Sequence, residues 1–225
     1  MKIKLLILTI LFSVCNFKLL AQLTKIEIDQ LNKGYVTALP NGQYKTIQDF
    51  INGTPSSSEL LTIKVRTEEA ADKEIEYPTV FFFDQADKKV KKVFAIVKDG
   101  RLFFSLVLGR LPKYRNKADN AQTIQLKYNW GFSQVMFGGE NYLYYEAEYY
   151  NEWGEAIAVH YSGSTPQRLL NLKGVVWDYQ NSELNIFRNC KDFNSFLSEA
   201  SEGTIKCDDK YYPIEEVRSI IEGIK

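Results

Sequence analysis

From Thr79 to Arg188 the chain shows no helical period: runs rich in Val, Ile, Phe and Tyr follow one another, separated by short turn signals. Side chains of that kind fit a pleated, half-buried surface. Asp99-Gly100, between Val97 and Leu102, is the strongest turn signal, because a type I′ turn needs two positive φ angles that this pair tolerates. Gly138-Gly139, Trp153-Gly154 and Asn181-Ser182 read as three further hairpins. Links this short join antiparallel neighbours. The predicted core is therefore an antiparallel meander of roughly eight strands, closed as a barrel or folded as two packed sheets.

The strands are expected at Leu61–Thr67, Thr79–Asp84, Val90–Val97, Arg101–Leu108, Ile124–Gly131, Ser133–Phe137, Asn141–Tyr150, Ala156–Tyr161, Leu169–Asp178 and Glu183–Arg188. Thr24–Leu31 reads equally as a short strand or a frayed helix. Thr46 can cap a helix carrying Ile47, Phe50 and Ile51 at i, i+3 and i+4, with Asp49 completing a capping-box variant and Gly53 at its end. Near the C-terminus, Phe193, Phe196, Leu197 and Ala200 form one apolar stripe, and Ile214, Val217, Ile220, Ile221 and Ile224 form another. Pro213, Glu215 and Glu216 suit the start of that last helix. The fold class is thus α+β, mainly antiparallel β, with a short N-terminal helix and C-terminal helices over about 190–225 that cover one face or mouth of the sheet.

Before this domain lies an address. Lys2 and Lys4 precede the apolar run Leu5–Val14, and Ala21 offers a small residue for cleavage, the layout of a secretory signal peptide over residues 1–21. The run is too short to cross a bilayer before Asn16 and Lys18 interrupt it. Residues 22–225 then form a single exported domain, periplasmic or extracellular. The alternative is lipid attachment at Cys15, which would tether the domain to a membrane. Removing Lys2, Lys4 and Lys18 takes the 28 basic side chains to 25 against 28 acidic ones, a balance that argues against nucleic acid as a partner.

Cleavage also removes Cys15 and leaves Cys190 and Cys207 as an even pair in an oxidising compartment, so a disulfide is expected between them. Its alternative is two independent buried thiols. With a single histidine, His160, and no CxxC, no zinc site of the usual composition is expected, and no cofactor motif appears.

The densest chemical feature is aromatic. On the strand Asn141–Tyr150, alternation places Tyr142, Tyr144, Glu146, Glu148 and Tyr150 on one face, with Trp153 just beyond. Rings mixed with carboxylates are expected to meet water at least in part, and such a face can hold a glycan or a peptide. The same pattern also suits a sheet face stabilised by cross-strand aromatic pairs. Glu146 and Glu148 have carboxyl carbons about 6–7 Å apart, a spacing compatible with glycoside hydrolysis. The leading expectation is a non-enzymatic binding module. The alternative is a hydrolase acting on an envelope or dietary polymer. Lys88, Lys89, Lys91 and Lys92 read either as a solvated turn and charged strand edge or as a contact for anionic headgroups or an acidic polymer.

Two segments carry a resemblance: Tyr44 to Pro55, with Thr46, Asp49 and Phe50, and Trp130-Gly131-Phe132 leading to Gly139-Glu140-Asn141-Tyr142. They resemble an uncharacterised family of exported bacterial proteins. The resemblance implies export to a Gram-negative envelope and transfers no catalytic or binding residue.

Overall fold

The computed structural model describes residues 22–67, 71, 76–106, 130–148, 172–179, 181–187, 189–201, 203–206 and 213–224. It is mainly antiparallel β, a curled half-barrel sheet of seven strands and a second sheet of four, with short helices. The larger sheet contains β1 (Leu23–Ile26), β2 (Gly42–Tyr44), β3 (Thr62–Arg66), β4 (Val80–Phe83), β5 (Ala95–Lys98), β6 (Arg101–Ser105) and β7 (Phe132–Gln134), in the order β1-β3-β4-β7-β6-β5-β2. The smaller contains β8 (Phe137–Gly138), β9 (Tyr142–Glu148), β10 (Leu172–Asp178) and β11 (Glu183–Ile186), in the order β11-β10-β9-β8.

The order departs from a simple meander. β7 is inserted between β4 and β6, and β2 closes the far edge against β5. The two sheets meet at a corner. The Val135 amide donates to the Leu102 carbonyl of the large sheet at 2.9 Å, and the next amide, Met136, donates to Tyr144 of the small sheet at 2.9 Å. One stretch of chain thus serves both sheets, a common way for a β-structure to turn a corner.

Local chemistry accounts for the connections. Asp99 and Gly100 adopt φ of 50° and 73°, which closes the β5–β6 hairpin with Lys98 opposite Arg101. Ser182, at φ 50°, lies in the β10–β11 turn. The hairpin expected at Gly138-Gly139 turns two residues later: Gly138 pairs with Leu143 inside β8, and the Gly139 amide donates to the Tyr142 carbonyl, leaving Glu140 and Asn141 at the turn. β5 is shorter than its apolar run predicts, because Lys92 at φ 61° interrupts the extended backbone before Ala95. Thr24–Leu31 resolves into β1 and a single 3₁₀ turn at Ile28–Gln30. The expected strand at Ala156–Tyr161, the Trp153-Gly154 turn, most of Ile124–Gly131 and residues 1–21 lie outside the described residues.

Three helices complete the described structure: α1 (Ile47–Ile51), α2 (Cys190–Ala200) and α3 (Ile214–Ile224). Thr46 caps α1, its hydroxyl accepting from the Asp49 amide at 3.0 Å while the Asp49 carboxylate accepts from the Thr46 amide at 3.0 Å. Asn189 caps α2 by accepting from the Asp192 amide. The core has three main parts. Tyr44, Phe94 and Phe104 of the large sheet meet Tyr145 and Trp177 of the small one, with Phe50 of α1 plugging the space between them. Ile63, Val65, Phe82 and Phe103 cluster on the opposite face of the large sheet. Tyr144, Val176 and Phe187, on the outer face of the small sheet, are covered by Phe193, Phe196 and Leu197 of α2 and by Ile214, Val217 and Ile221 of α3.

Candidate functional site

The Tyr–Glu strand face is built as expected on β9, but at Tyr144, Glu146 and Glu148 it is shut off from water. Tyr144 is 0 % exposed, Glu146 5 % and Glu148 4 %, while Tyr142 is half-buried with its ring edge-on to Phe196 of α2 at 5.4 Å. The physical reason lies at the end of the chain, where the apolar stripes of α2 and α3 need a sheet face to bury against and take this one. Tyr150 and Trp153 lie outside the described residues.

Burying Glu146 requires a partner, and α3 brings it. Arg218 forks onto the carboxylate, with Nε donating to Oε1 at 2.6 Å and Nη2 to Oε2 at 2.8 Å. The Tyr144 hydroxyl donates to Oε1 at 2.9 Å, so both carboxylate oxygens are engaged. Nη1 of Arg218 reaches Glu215 at 2.8 Å and Glu76 at 3.4 Å. Burial opposes the Arg218 charge, but hydrogen bonds and attraction from Glu146, with Glu215 behind them, hold its pKa above the ordinary value. Gly174, opposite Glu146 on β10, makes room for this arrangement: a Cβ there would stand 2.8 Å from the ring and hydroxyl of Tyr144. The Tyr144–Glu146 pair is thus part of the tie that holds α3 on the sheet.

Cys190 is buried in the first turn of α2, and Cys207 lies outside the described residues. One turn along α2, Asn194 grips the backbone of Ile205 from both sides, donating to its carbonyl at 3.0 Å and accepting from its amide at 2.9 Å. This returns the chain to α2 two residues before Cys207.

A second chemical cluster lies on the large sheet, where β3 and β4 carry polar and aromatic side chains away from the core formed by Ile63, Val65 and Phe82. Lys64 Nζ sits 4.3 Å from the centroid of the Phe83 ring, and Lys89 Nζ sits 3.9 Å from that of Phe81. Lys91 Nζ lies 5.6 Å from the Trp130 ring. Lys64 pairs with Asp87 at 2.6 Å, whereas no described carboxylate pairs with Lys89 or Lys91. The Lys89 pKa is pushed down to about 8, by burial first and then by the charges of Lys91 and Arg66. Among the described residues the charges that bear on this ammonium are cations, and the ring face beneath it offsets part of the cost.

Lys173 on β10, in register with Ala147, is likewise pushed down to about 8 by burial. Burial raises Tyr44, Tyr77 and Tyr179 above the ordinary tyrosine value. From pH about 8 to about 10 the unfolded chain binds more protons at the two lysines than the folded chain does, so stability rises with pH. Above pH about 10 the unfolded tyrosines ionise first, and stability falls. Thermal midpoints measured across this range are expected to climb and then drop. A midpoint that falls from the start would contradict the burial of both lysines.

An open recess beside the β5–β6 hairpin is lined by Asn41, Ser58, Leu60, Lys98 and Asp99, and none of the residues singled out in β9 lines it. Among the described residues, no group of three or more His, Cys, Asp or Glu could hold a metal ion, and no helix is long and apolar enough to cross a membrane. Comparison with protein-family models, curated proteins and solved structures finds no match for this chain.

Proposed function

We propose that the chain is an exported, non-enzymatic binding domain that holds an acidic polysaccharide on the lysine–aromatic face of β3 and β4. The observation that carries this reading is Lys89, a half-buried ammonium over the Phe81 ring, with cations as its charged neighbours and no described carboxylate partner. A partly buried charge without a counter-ion is costly, and an anionic group laid between Lys89 and Lys91 offsets that cost. An extended polymer suits cations spread along neighbouring strand segments better than a closed pocket does. The hydrolase reading named Glu146 as one of its acids, and that carboxylate is engaged by Arg218 and Tyr144.

Export rests on the charged and apolar start and on the resemblance of Tyr44–Pro55, Trp130–Phe132 and Gly139–Tyr142 to an exported family. A Cys190–Cys207 bridge belongs to the same proposal. Asn194 supports it by returning the chain to α2 at Ile205. In the chain-entropy model such a loop contributes about 3 kcal/mol.

Calorimetric titration of polygalacturonate into residues 22–225 tests the binding surface, with polyglutamate as the peptide comparison. Binding of the polysaccharide is expected to weaken as salt increases, because exposed charges are screened. Lys89→Met should weaken it by about tenfold or more, the loss of one charge-assisted hydrogen bond. Equal affinity of Lys89→Met and the parent chain would overturn the assignment of this face. Preference for polyglutamate would replace the polysaccharide by an acidic peptide.

A further inference from the structure

The folded sheet begins one residue after the cut that the sequence predicts. Leu23 opens β1 and pairs with Arg66 of β3. Gln22 just before it is exposed, and its carbonyl oxygen accepts from the Thr67 amide at 2.9 Å and from the Thr67 hydroxyl at 3.0 Å. Thr24 and Thr67 join hydroxyls at 2.9 Å and steady the same corner. No described contact uses the nitrogen or the side-chain amide of Gln22. The residue is held by its carbonyl, with both ends of a possible ring left in solvent.

We propose that Gln22 is a modification site: once cleavage after Ala21 exposes its α-amine, the residue closes to an N-terminal pyroglutamate. This rests on the export reading above. The neutral amine attacks the Cδ of its own side chain, forming an N–Cδ bond and a five-membered lactam. The Cδ–Nε2 bond breaks, a proton from the amine passes to the departing nitrogen, and ammonia leaves. Nothing is oxidised or reduced, and no co-reactant is needed.

Two features favour this step. An α-amine has an ordinary pKa of about 7.7–8.0, so a useful share is the neutral nucleophile near neutral pH. The ring consists of backbone N and Cα with side-chain carbons, so the carbonyl stays outside it and both Thr67 bonds survive. The lactam would protect an exposed edge. β1 is the outer strand of the large sheet, and its Ile26 packs against the core that includes Ile63. Trimming from a free amine would remove the hydrogen-bonded Gln22 first and then the strand. A lactam offers no free amine to an aminopeptidase.

The test uses the full chain produced in an exporting host, with the exported form incubated at neutral pH and its N-terminal peptide followed by mass spectrometry. The expected peptide begins at residue 22, is lighter than free glutamine by one ammonia and resists aminopeptidase. Gln22→Ser should be exported alike, keep its amine and be trimmed. A Gln22 terminus that persists at full mass overturns the lactam and leaves the export reading standing. A chain that begins at Met1, or at a lipid-modified Cys15, overturns the export reading and the lactam with it.

Discussion

Arg218→Met is expected to lower the free energy of unfolding by about 3 kcal/mol, because it strands the Glu146 carboxylate beneath α3 with only the Tyr144 hydroxyl as a partner. The Glu146 side chain is 3 % exposed and that of Arg218 is 18 %. Breaking a buried pair typically costs about 3–5 kcal/mol, and the partial exposure of Arg218 places this case at the low end. In a domain of this size the change corresponds to a fall in melting temperature of roughly 6–12 °C. Denaturant unfolding of the two chains measures it. A change under about 1 kcal/mol would mean that the fork contributes no more than a surface ion pair.

Phe50→Ala is expected to cost about 4 kcal/mol, within the usual range for removing a buried aromatic ring. Phe50 is 2 % exposed although α1 is only five residues long. Its ring meets Phe94 and Phe104 edge-on at 5.5 Å each and Tyr44 at 6.0 Å, and it stacks on Tyr179 at 6.4 Å. Such a helix has little stability of its own. The Thr46–Asp49 box sets its start, and Phe50 anchors it between the sheets. Trp177, 5.9 Å from Phe94, makes a local fluorescence reporter beside chemical unfolding. A loss under about 1 kcal/mol would mean that α1 rests on the surface instead of plugging the core.

The parts of this fold that depend on near neighbours were legible in the chain. Asp99-Gly100 turns where its two residues tolerate positive φ, Thr46 and Asp49 start α1, and the stripes of α2 and α3 bury the residues their period marks. Strand order was not legible, because placing β7 between β4 and β6 depends on pairings made across long stretches of chain. The burial of Tyr144, Glu146 and Glu148 on β9 was not legible for a related reason. Alternation showed which residues share the face, whereas its cover and its cation come from α3, with Arg218 lying 72 positions from Glu146. A signal was present in α3: Arg218 stands one turn from Ile214 and next to Val217, a lone cation beside an apolar stripe. The lysine face had its signal in β4. Val80–Phe83 is apolar at every position, so Phe81 and Phe83 needed a cover on the face away from the main core, and Lys64 and Lys89 contribute to it.

Whether the Glu146 carboxylate of β9 serves the fold is measured directly by a double-mutant cycle on Glu146→Gln and Arg218→Met. If the pair ties α3 to the sheet, each single change destabilises the protein and the double change costs less than their sum, with a coupling of about 2 kcal/mol or more. Additive losses, to within about 0.5 kcal/mol, would contradict the tie and return Glu146 to the residues available for chemistry.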